Sequence, residues 1–502
     1  MEVPSNRGTS IPLATAEPIP LAMYIGGQWV NGRSGQRTTI VSPATGRPVA
    51  VVPWGVREDA REALAAAREA QATWGHTPLA ERVRLCRRIA DLIQERAEAL
   101  AGWITLEQGK PLHAEARVEV QNAAGWFRLA AEYAMALETP LLPVENPHKR
   151  ALTFLQPRGV YAIITPWNFP VGIPSQLISA ALVMGNSFVW VPAPTTSTCA
   201  VKLMECLVEA PLPPGVANLV LGPGPVVGDE IAGHEGTDAV AFVGSSATGR
   251  AVAARAAGKP QLLELGGNGP TVVFADADLD LAVPRILTGC TRNAGQVCSA
   301  TGRVLVHRSL QDPLAVRLRE AMSRIRVGDP FQRETVMGPL HNERTARTVE
   351  EHLADASARG ARVVFGGRRL QGFPTPLYFL PAVVADVPPD SRLHLEETFG
   401  PVAALVPFDD EADVLRLAQA SPYGHTAAIF TRDVARAFRL AERLRVGLVN
   451  INDNSFPGDP RLPRGGASGT ISGVGRRGGK YTLLEMADLK TVVLDIGGTI
   501  PL

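Results

Sequence analysis

Residues 159–170 read Gly-Val-Tyr-Ala-Ile-Ile-Thr-Pro-Trp-Asn-Phe-Pro, and residues 187–194 read Ser-Phe-Val-Trp-Val-Pro-Ala-Pro. Each is a short apolar run closed by a proline turn, and the segment between them is long and apolar enough for a helix over 175–184. The alternation continues with a helix over 196–210, a strand over 217–221, a helix over 226–232 and a strand over 239–242. This rhythm predicts an α/β fold built on a doubly wound parallel sheet, whose ligand crevice lies at the carboxyl ends of the strands. The stretch Gly244-Ser245-Ser246-Ala247-Thr248-Gly249 follows a strand and opens a helix, where backbone N–H groups can face a pyrophosphate. The glycines from Gly222 to Gly228 have the wrong spacing for a dinucleotide fingerprint and read as plain turns.

Toward the N-terminus, residues 23–30 predict a hairpin with Asn31-Gly32 as its turn, and short strands are expected near 41–47 and 49–52. From 57 to about 137 the chain is rich in Ala, Glu, Arg and Leu. Apolar positions at helical spacing, such as Val83, Ile89, Leu92, Ile93 and Leu100, predict three or four amphipathic helices. Residues 140–156 are proline-rich and then strand-like, a protruding strand pair. Beyond Asn268 a second α/β region follows, with strands near 271–274, 304–306 and 363–365 and a helix from Ser309.

A chain of 502 residues exceeds one core and predicts two or three domains. Fifty basic against 49 acidic residues leave a net charge of +1, so composition supplies no bulk attraction to nucleic acid or to an anionic membrane. The five cysteines (Cys86, Cys199, Cys206, Cys290, Cys298) lack regular spacing and point to a reducing compartment, not a disulfide framework. None of the nine histidines stands in a metal-ligand pattern; each reads as solvated or core histidine, and no metal is expected. The N-terminus lacks a signal-peptide pattern, and runs such as 159–164 are too short to span a membrane, so a cytoplasmic protein with a loose arm over its first ~20 residues is expected.

Three stretches carry candidate chemistry. Cys298 follows an Asn-Ala-Gly-Gln turn and precedes an apolar strand, so backbone can present its thiol as a nucleophile; the alternative is a packed structural cysteine. Glu264 stands inside an apolar strand ending in Gly-Gly. Desolvation there raises a carboxylate's pKa and makes it a general base near neutral pH, the alternative being a glutamate on the solvent face of an edge strand. Asn168 lies between Pro166 and Pro170, which restrict the backbone on either side, and a fixed amide donor suits an oxyanion.

Thr-Pro-Trp-Asn-Phe-Pro at 165–170, Phe-Val-Gly-Ser-Ser-Ala-Thr-Gly at 242–249, Glu-Leu-Gly-Gly at 264–267, Gly-Gln-Val-Cys at 295–298 and Glu-Glu-Thr-Phe-Gly-Pro at 396–401 together resemble the aldehyde dehydrogenase superfamily. The resemblance runs from about Tyr24 to Val493. It implies two doubly wound parallel-sheet domains and a protruding β arm. The dinucleotide-binding domain covers 20–138 and 158–262, the catalytic domain 263–470, and the oligomerisation arm 139–157 with 482–502. In such an arm 140–156 pairs with a C-terminal strand, here 489–494, to bridge the subunits of a homodimer or homotetramer.

The resemblance also implies oxidation of an aldehyde to a carboxylic acid with NAD or NADP. Cys298 attacks the carbonyl to give a thiohemiacetal whose oxyanion is held by Asn168 and the Cys298 N–H. Glu264 then activates water against the thioester, and its presence favours hydrolysis over transfer to coenzyme A. Thr165, Pro166, Trp167, Val191, Gly244, Ser245, Gly249, Leu265, Gly266, Glu397 and Phe399 take the cofactor positions, with Glu397 on the nicotinamide ribose. Phe169, Gln176, Asn122, Arg292 and Arg464 take the substrate side, and Asn122 and Phe127 line the aldehyde entrance.

The chain departs from the family pattern at the adenosine ribose, where Val191 and Pro194 replace a Lys and a Glu and leave no charged anchor, so NAD and NADP both stay open. Asn268 stands for the usual Lys and Val243 for the usual Thr. The loop from Pro463 to Gly473 is two residues longer than usual between its glycine pair and Ser-Gly, and it lacks the Lys. Arg292, six positions before Cys298, matches an Arg that semialdehyde dehydrogenases use for the remote acid; their second Arg is replaced by Gln176. A polar or carboxylated aldehyde is therefore expected, and the competing expectation is a structural or ligand-binding descendant with residual thiol esterase activity.

Overall fold

A computed structural model describes residues 17–497. The alternation over 160–242 closes as an eight-stranded sheet in the order Gly473–Val474, Gln261–Glu264, Ala239–Val243, Val160–Thr165, Ser187–Pro192, Ala217–Leu219, Met23–Ile25, Gln28–Val30. The five strands from Gln261–Glu264 to Ala217–Leu219 run parallel. Every residue of Ser187–Pro192 and Ala239–Val243 is buried, as strands covered on both faces require. Four helices occupy the expected amphipathic stretch, Arg57–Trp74, Leu79–Glu95, Ala97–Gln108 and Arg117–Ala136, and their apolar faces join the same core as this sheet. The expected helix over 226–232 begins as a π turn, Gly224–Gly228, and continues as Asp229–Gly233.

A second sheet of seven strands has the order Arg362–Phe365, Ala382–Ala385, Val402–Phe408, Thr301–His307, Gly269–Val273, Thr426–Phe430, Leu448–Ile451. All its pairs are parallel except the first, and apolar clusters cover both faces. The two sheets are joined where one strand ends at Glu264 and the next begins at Gly269. That crossing organises the site.

Three expectations need revision or bounding. The N-terminal hairpin turns at Gly26-Gly27, not Asn31-Gly32: Ile25 pairs with Gln28, and only glycine takes φ of 59° and 90° in succession so readily. The arm is a three-stranded sheet of Leu141–Leu142, Lys149–Pro157 and Ala487–Asp495, in which the C-terminal strand pairs with Lys149–Pro157 of its own chain. Residues 1–16 of the expected loose arm, and 498–502 of the C-terminal segment, lie outside the described residues. Among the described residues no helix is long and apolar enough to cross a membrane.

Candidate active site

After the helix Leu279–Thr291 the chain passes through Asn293, Ala294 and Gly295 at φ of 50°, 54° and 73°. Left-handed backbone costs a residue such as Ala about 1 kcal/mol or more, so the surroundings must impose it. They do so with side chains from distant segments. Glu115 accepts the Asn293 N–H at 2.9 Å, and Gln108 Nε2 donates to Asn293 Oδ1 at 3.0 Å. Gln296 folds back to donate Nε2 to the Asn293 carbonyl at 2.9 Å, while its Oε1 accepts the His341 N–H at 2.8 Å. A Cβ on Gly295 would lie 2.1 Å from the Gly400 carbonyl oxygen. Cys298 emerges from this turn half-buried, its backbone N–H without an acceptor among the described residues.

Asn168 follows the strand Val160–Thr165 and is tied to the same turn. Its Nδ2 donates to the Gln296 carbonyl at 3.0 Å, and its own carbonyl accepts from Lys110 Nζ at 3.0 Å and Asn293 Nδ2 at 3.1 Å. Lys110 and Glu119 form a fully buried ion pair. Glu119 Oε1 also accepts the Val171 and Gly172 N–H groups that open the helix Gly172–Val183, and the Phe169 ring covers Lys110 at 3.8 Å. Because the Lys110 charge is matched by Glu119, the pair can fix backbone here without leaving an unpaired buried ion.

Glu264 lies at the carboxyl end of its strand, 1% exposed, with Oε1 accepting from the Cys298 thiol at 3.2 Å. The sequence leads one to expect a desolvated carboxyl of raised pKa, and that expectation fails. Burial does push Glu264 up, but Arg477 donates to both carboxylate oxygens, and its charge, with His425 and Arg464 adding to it, holds the group down at about 2. Gln176 Oε1 accepts from Arg477 Nη1 at 2.8 Å and from Arg464 Nη2 at 3.1 Å. Residues 464 and 477 face each other across a closed backbone bridge, so one loop aims both guanidinium groups inward. Arg464 has no ion pair among the described residues, and burial together with its neighbour Arg477 brings it down to about 10. Burial and the Glu264 charge push the Cys298 thiol up, against the pull of Arg477. A ring nitrogen of His425 completes a set with Glu264 and Cys298 in which the donor atoms lie within 4.8 Å of one another. Such a trio is a metal-ligand set in kind, but Arg477 occupies the carboxylate and two guanidinium groups oppose a cation beside it.

On the opposite side of Gly266, Glu397 Oε1 accepts the Gly267 N–H at 2.8 Å while its second oxygen has no partner among the described residues, and burial raises the group to about 7. Trp167 stacks on His341 at 4.3 Å and meets the Phe399 edge at 5.6 Å. Thr165 Oγ1 accepts from Trp190 Nε1 at 2.8 Å, and Pro166 follows it at the end of the same strand. Ser245 caps the helix Ser246–Arg255, and the N–H groups of Ser245, Ser246 and Ala247 have no acceptor among the described residues. Leu265 packs so closely on Gly249 that a Cβ there would lie 2.2 Å from it. Open donors at a helix N-terminus and a carboxylate with a free oxygen fit a dinucleotide's pyrophosphate and ribose. Val191 is buried and Pro194 starts a 3-10 turn, so neither offers a polar group to the second ribose.

The profile of the aldehyde dehydrogenase family matches residues 29–492. The chain belongs to this family. It is 37% identical to the succinate-semialdehyde dehydrogenase [NADP(+)] of Escherichia coli, over 94% of this chain and 97% of the relative. It is 36% identical to a glutarate-semialdehyde dehydrogenase of Pseudomonas putida, with the same shares covered. The structure superposes with a TM-score of 0.91 on a betaine aldehyde dehydrogenase of Staphylococcus aureus in complex with NAD+, 34% identical over 95% of each chain. The protein is an NAD(P)-dependent aldehyde dehydrogenase that oxidises an aldehyde to its carboxylic acid.

For this dehydrogenase the structure brings Gln176 and Arg464 together, while the Arg292 guanidinium lies 5.2 Å over the Phe456 ring. Phe127, expected at the aldehyde entrance, is fully buried in the helix–sheet core. Trp126 takes that side instead, with Arg464 5.5 Å from its ring, and Asn122 lies one turn earlier, exposed on the same face of the helix. Sequence reasoning missed Arg477, His425, Lys110 and Glu119. Only their proximity in space marks them; Arg477 sits in an unremarkable Gly-Arg-Arg-Gly-Gly run 213 residues from its partner.

Proposed function

We propose that this dehydrogenase acts on an aldehyde carrying an anionic group, a carboxylate above all, a few bonds from the reacting carbon. One observation carries the reading: Arg464 and Arg477 converge on Gln176 beside Cys298, two buried cations against the single carboxylate of Glu264. A pocket with one positive charge in excess stabilises an incoming anion and penalises an apolar tail. The two guanidinium groups stand where the semialdehyde-oxidising relatives would place an Arg at the position of Gln176, so the same charge arrives from another segment of chain. Relatives named for succinate and glutarate semialdehydes support the same substrate class.

In this reading Cys298 bonds to the aldehyde carbon, and Asn168 Nδ2 with the free Cys298 N–H holds the oxyanion of the thiohemiacetal. NAD or NADP, when bound, supplies the hydride acceptor. Gly244, Ser245 and Gly249 would hold its pyrophosphate, and Glu397, with Leu265, Gly266 and Phe399 about it, the nicotinamide ribose. Glu264, ionised throughout the working range, orients the water that attacks the thioester. We also infer a cytoplasmic homo-oligomer, dimer or tetramer, closed through the arm, on which Leu152, Phe154, Leu489, Val493 and Leu494 stand exposed in one chain. We read 20–138 with 158–262, and 263–470, as its cofactor and catalytic domains.

The test is a panel of aldehydes of equal chain length with and without a terminal carboxylate, followed by absorbance of the reduced cofactor. A charge-assisted contact of about 1.5–3 kcal/mol predicts a preference of roughly 10–10²-fold in kcat/KM for the carboxylated member. Equal or better turnover of the aliphatic series removes the substrate assignment. Asn168→Ala should lose roughly 10²–10³ in kcat, the usual cost of one oxyanion donor, and Cys298→Ala should abolish dehydrogenase turnover altogether.

A further inference from the structure

Both oxygens of Glu264 are held by a single cation. Arg477 Nε donates to Oε2 and Nη2 to Oε1, while the remaining nitrogen, Nη1, donates to Gln176 Oε1 at 2.8 Å. The guanidinium is thus fixed on both flanks, and so is the backbone that carries it. Residues 464 and 477 exchange N–H to carbonyl bonds at 2.8 and 2.9 Å, and the strand Gly473–Val474 that leads to Arg477 lies in register against Leu263 and Glu264. Just after Arg477 the chain turns at φ of 125°, where a Cβ on Gly478 would lie 1.9 Å from the Leu462 carbonyl oxygen. For stability alone a pair of packed apolar side chains would serve as well as this buried ion pair. What the clamp adds is direction: outside it, Oε1 keeps one hydrogen bond, from the Cys298 thiol at 3.2 Å.

We propose that Arg477 is the positioning residue of the thioester step: by holding both oxygens of Glu264 it keeps this base charged and aimed at the sulfur, so that hydrolysis of the acyl-enzyme does not slow in acid. In that step Glu264 takes a proton from water as the water oxygen bonds to the thioester carbon. The C–S bond then breaks, the carboxylic acid departs, and Oε1 hands the proton to the thiolate it faces, which restores a neutral thiol and an ionised Glu264. A carboxylate held charged by a guanidinium is a weak base but returns a proton readily, and this group must do both in one turnover. The proposal rests on the reading of Glu264 as the group that activates water; Arg477 acts only through it.

The groups facing Glu264 are Arg477 and Arg464 from the C-terminal loop, His425 just before the strand Thr426–Phe430, with Nε2 at 3.7 Å, and Cys298 from the turn before Thr301–His307. Burial pushes Glu264 up, and among the groups that bring it down the Arg477 charge comes first. Arg464 bonds to Gln176 instead, and burial holds His425 below the ordinary imidazole value. Glu397, across Gly266-Gly267, shows the alternative: with one backbone N–H and no cation it rises to about 7. Glu264 stripped of Arg477 follows the same course. A carboxylate held low is ionised throughout the range above its value, so the wild-type step is level down to about pH 5; a raised one is protonated as pH falls through about 7, and the step is lost with it.

The test reads the thioester step alone, with neither cofactor nor aldehyde. Cys298 of the full-length protein is acetylated with p-nitrophenyl acetate at one pH, excess ester is removed, and loss of the acetyl mass is followed by mass spectrometry at pH values from about 5 to 8, with Cys298→Ala as the blank. The wild-type rate should stay within about 2-fold across that range. Arg477→Met should fall roughly 10²-fold from pH 8 to pH 5, the drop in ionised carboxylate for a group near 7. Arg477→Lys keeps the charge but cannot fork both oxygens, so it should be slower at every pH with a level profile. A merely structural residue would lower all rates alike, so parallel profiles for wild type and Arg477→Met overturn the proposal. If Arg477→Met does not fold, wild type alone decides: a level profile sustains the proposal, and a rate that falls roughly 10-fold toward pH 5 overturns it. Glu264→Gln that sheds its acetyl group as fast as wild type would instead remove the reading of Glu264 as the base.

Discussion

Glu264, buried, and Glu397, half-buried, flank Gly266-Gly267 in the chain's site, and their acidities shift in opposite directions. Burial raises each. Glu264 is brought down to about 2 because Arg477 grips both its oxygens, whereas Glu397 meets only the Gly267 N–H and rises to about 7. One backbone donor does not offset desolvation; a bidentate guanidinium does. The side of the site nearest the thiol therefore keeps a permanent negative charge under an excess of positive charge, and the cofactor side keeps a carboxyl that can be neutral or charged near pH 7.

Removing the guanidinium is the sharpest way to break this contrast. Arg477→Met strands Glu264 without its partner, and breaking one side of a buried pair costs about 3–5 kcal/mol. The expected result is a lowered urea midpoint with an unchanged slope, much of the loss being recovered in Glu264→Gln/Arg477→Met, which leaves no charge to strand. A single variant as stable as wild type would mean that Glu264 is held down by something else.

The same contrast marks where sequence reading succeeded and where it could not. Strand–helix alternation over 160–242 and the strand-to-helix turn at 244–249 are local patterns, and the sheet and the capped helix Ser246–Arg255 follow them. A turn before Cys298 is legible in Asn-Ala-Gly-Gln, but its left-handed path through Ala294 is not, because Glu115, Gln108 and Gly400 impose it from distant segments. The ionisation of Glu264 was not legible, because an apolar strand says that a carboxyl will be buried and nothing about which cation will arrive from 213 residues away. His425 reads as core from its neighbours, and it is buried; what singles it out is the thiol and carboxylate beside it, which belong to other strands and loops. The misplaced hairpin turn has a smaller cause: Gly26-Gly27 and Asn31-Gly32 are both good turn formers, and only the pairing of Tyr24 with Trp29 chooses between them.

A second way to sharpen the comparison uses pH. Glu264 has its value lowered on folding, so the stability it contributes is present above the ordinary carboxyl value of 4.5 and is lost as pH falls toward about 2. Glu397 works in the other direction. Its value is raised, so the unfolded chain gives up this proton first, and stability declines as pH rises from 4.5 toward about 7. That decline amounts to as much as about 3 kcal/mol at 1.36 kcal/mol per pH unit. Glu397→Gln should make the decline shallower in denaturant titrations run across that window, the buried Glu107, also raised to about 7, keeping its own share, and leave the acid side unchanged. A wild-type curve with no decline for the substitution to remove would place Glu397 among ordinary exposed carboxylates.

The smallest expected effect separates the two cations on the Glu264 side. Arg477 is committed to Glu264, while Arg464 touches only Gln176 Oε1 and lies over the Trp126 ring, which leaves its charge for a substrate. Arg464→Met should therefore raise KM for a carboxylated aldehyde roughly 10-fold, by loss of about 1.4 kcal/mol of binding, with kcat little changed. For an aliphatic aldehyde of equal length KM should stay the same or fall, because a buried cation with nothing to pair has been removed. A parallel rise for both substrates would mean that Arg464 serves the loop and not the ligand, and the anionic-substrate reading would lose its free cation. The split between the two KM values is the informative quantity, since a folding defect lowers both activities together whereas a lost charge contact registers only where the substrate carries the opposite charge.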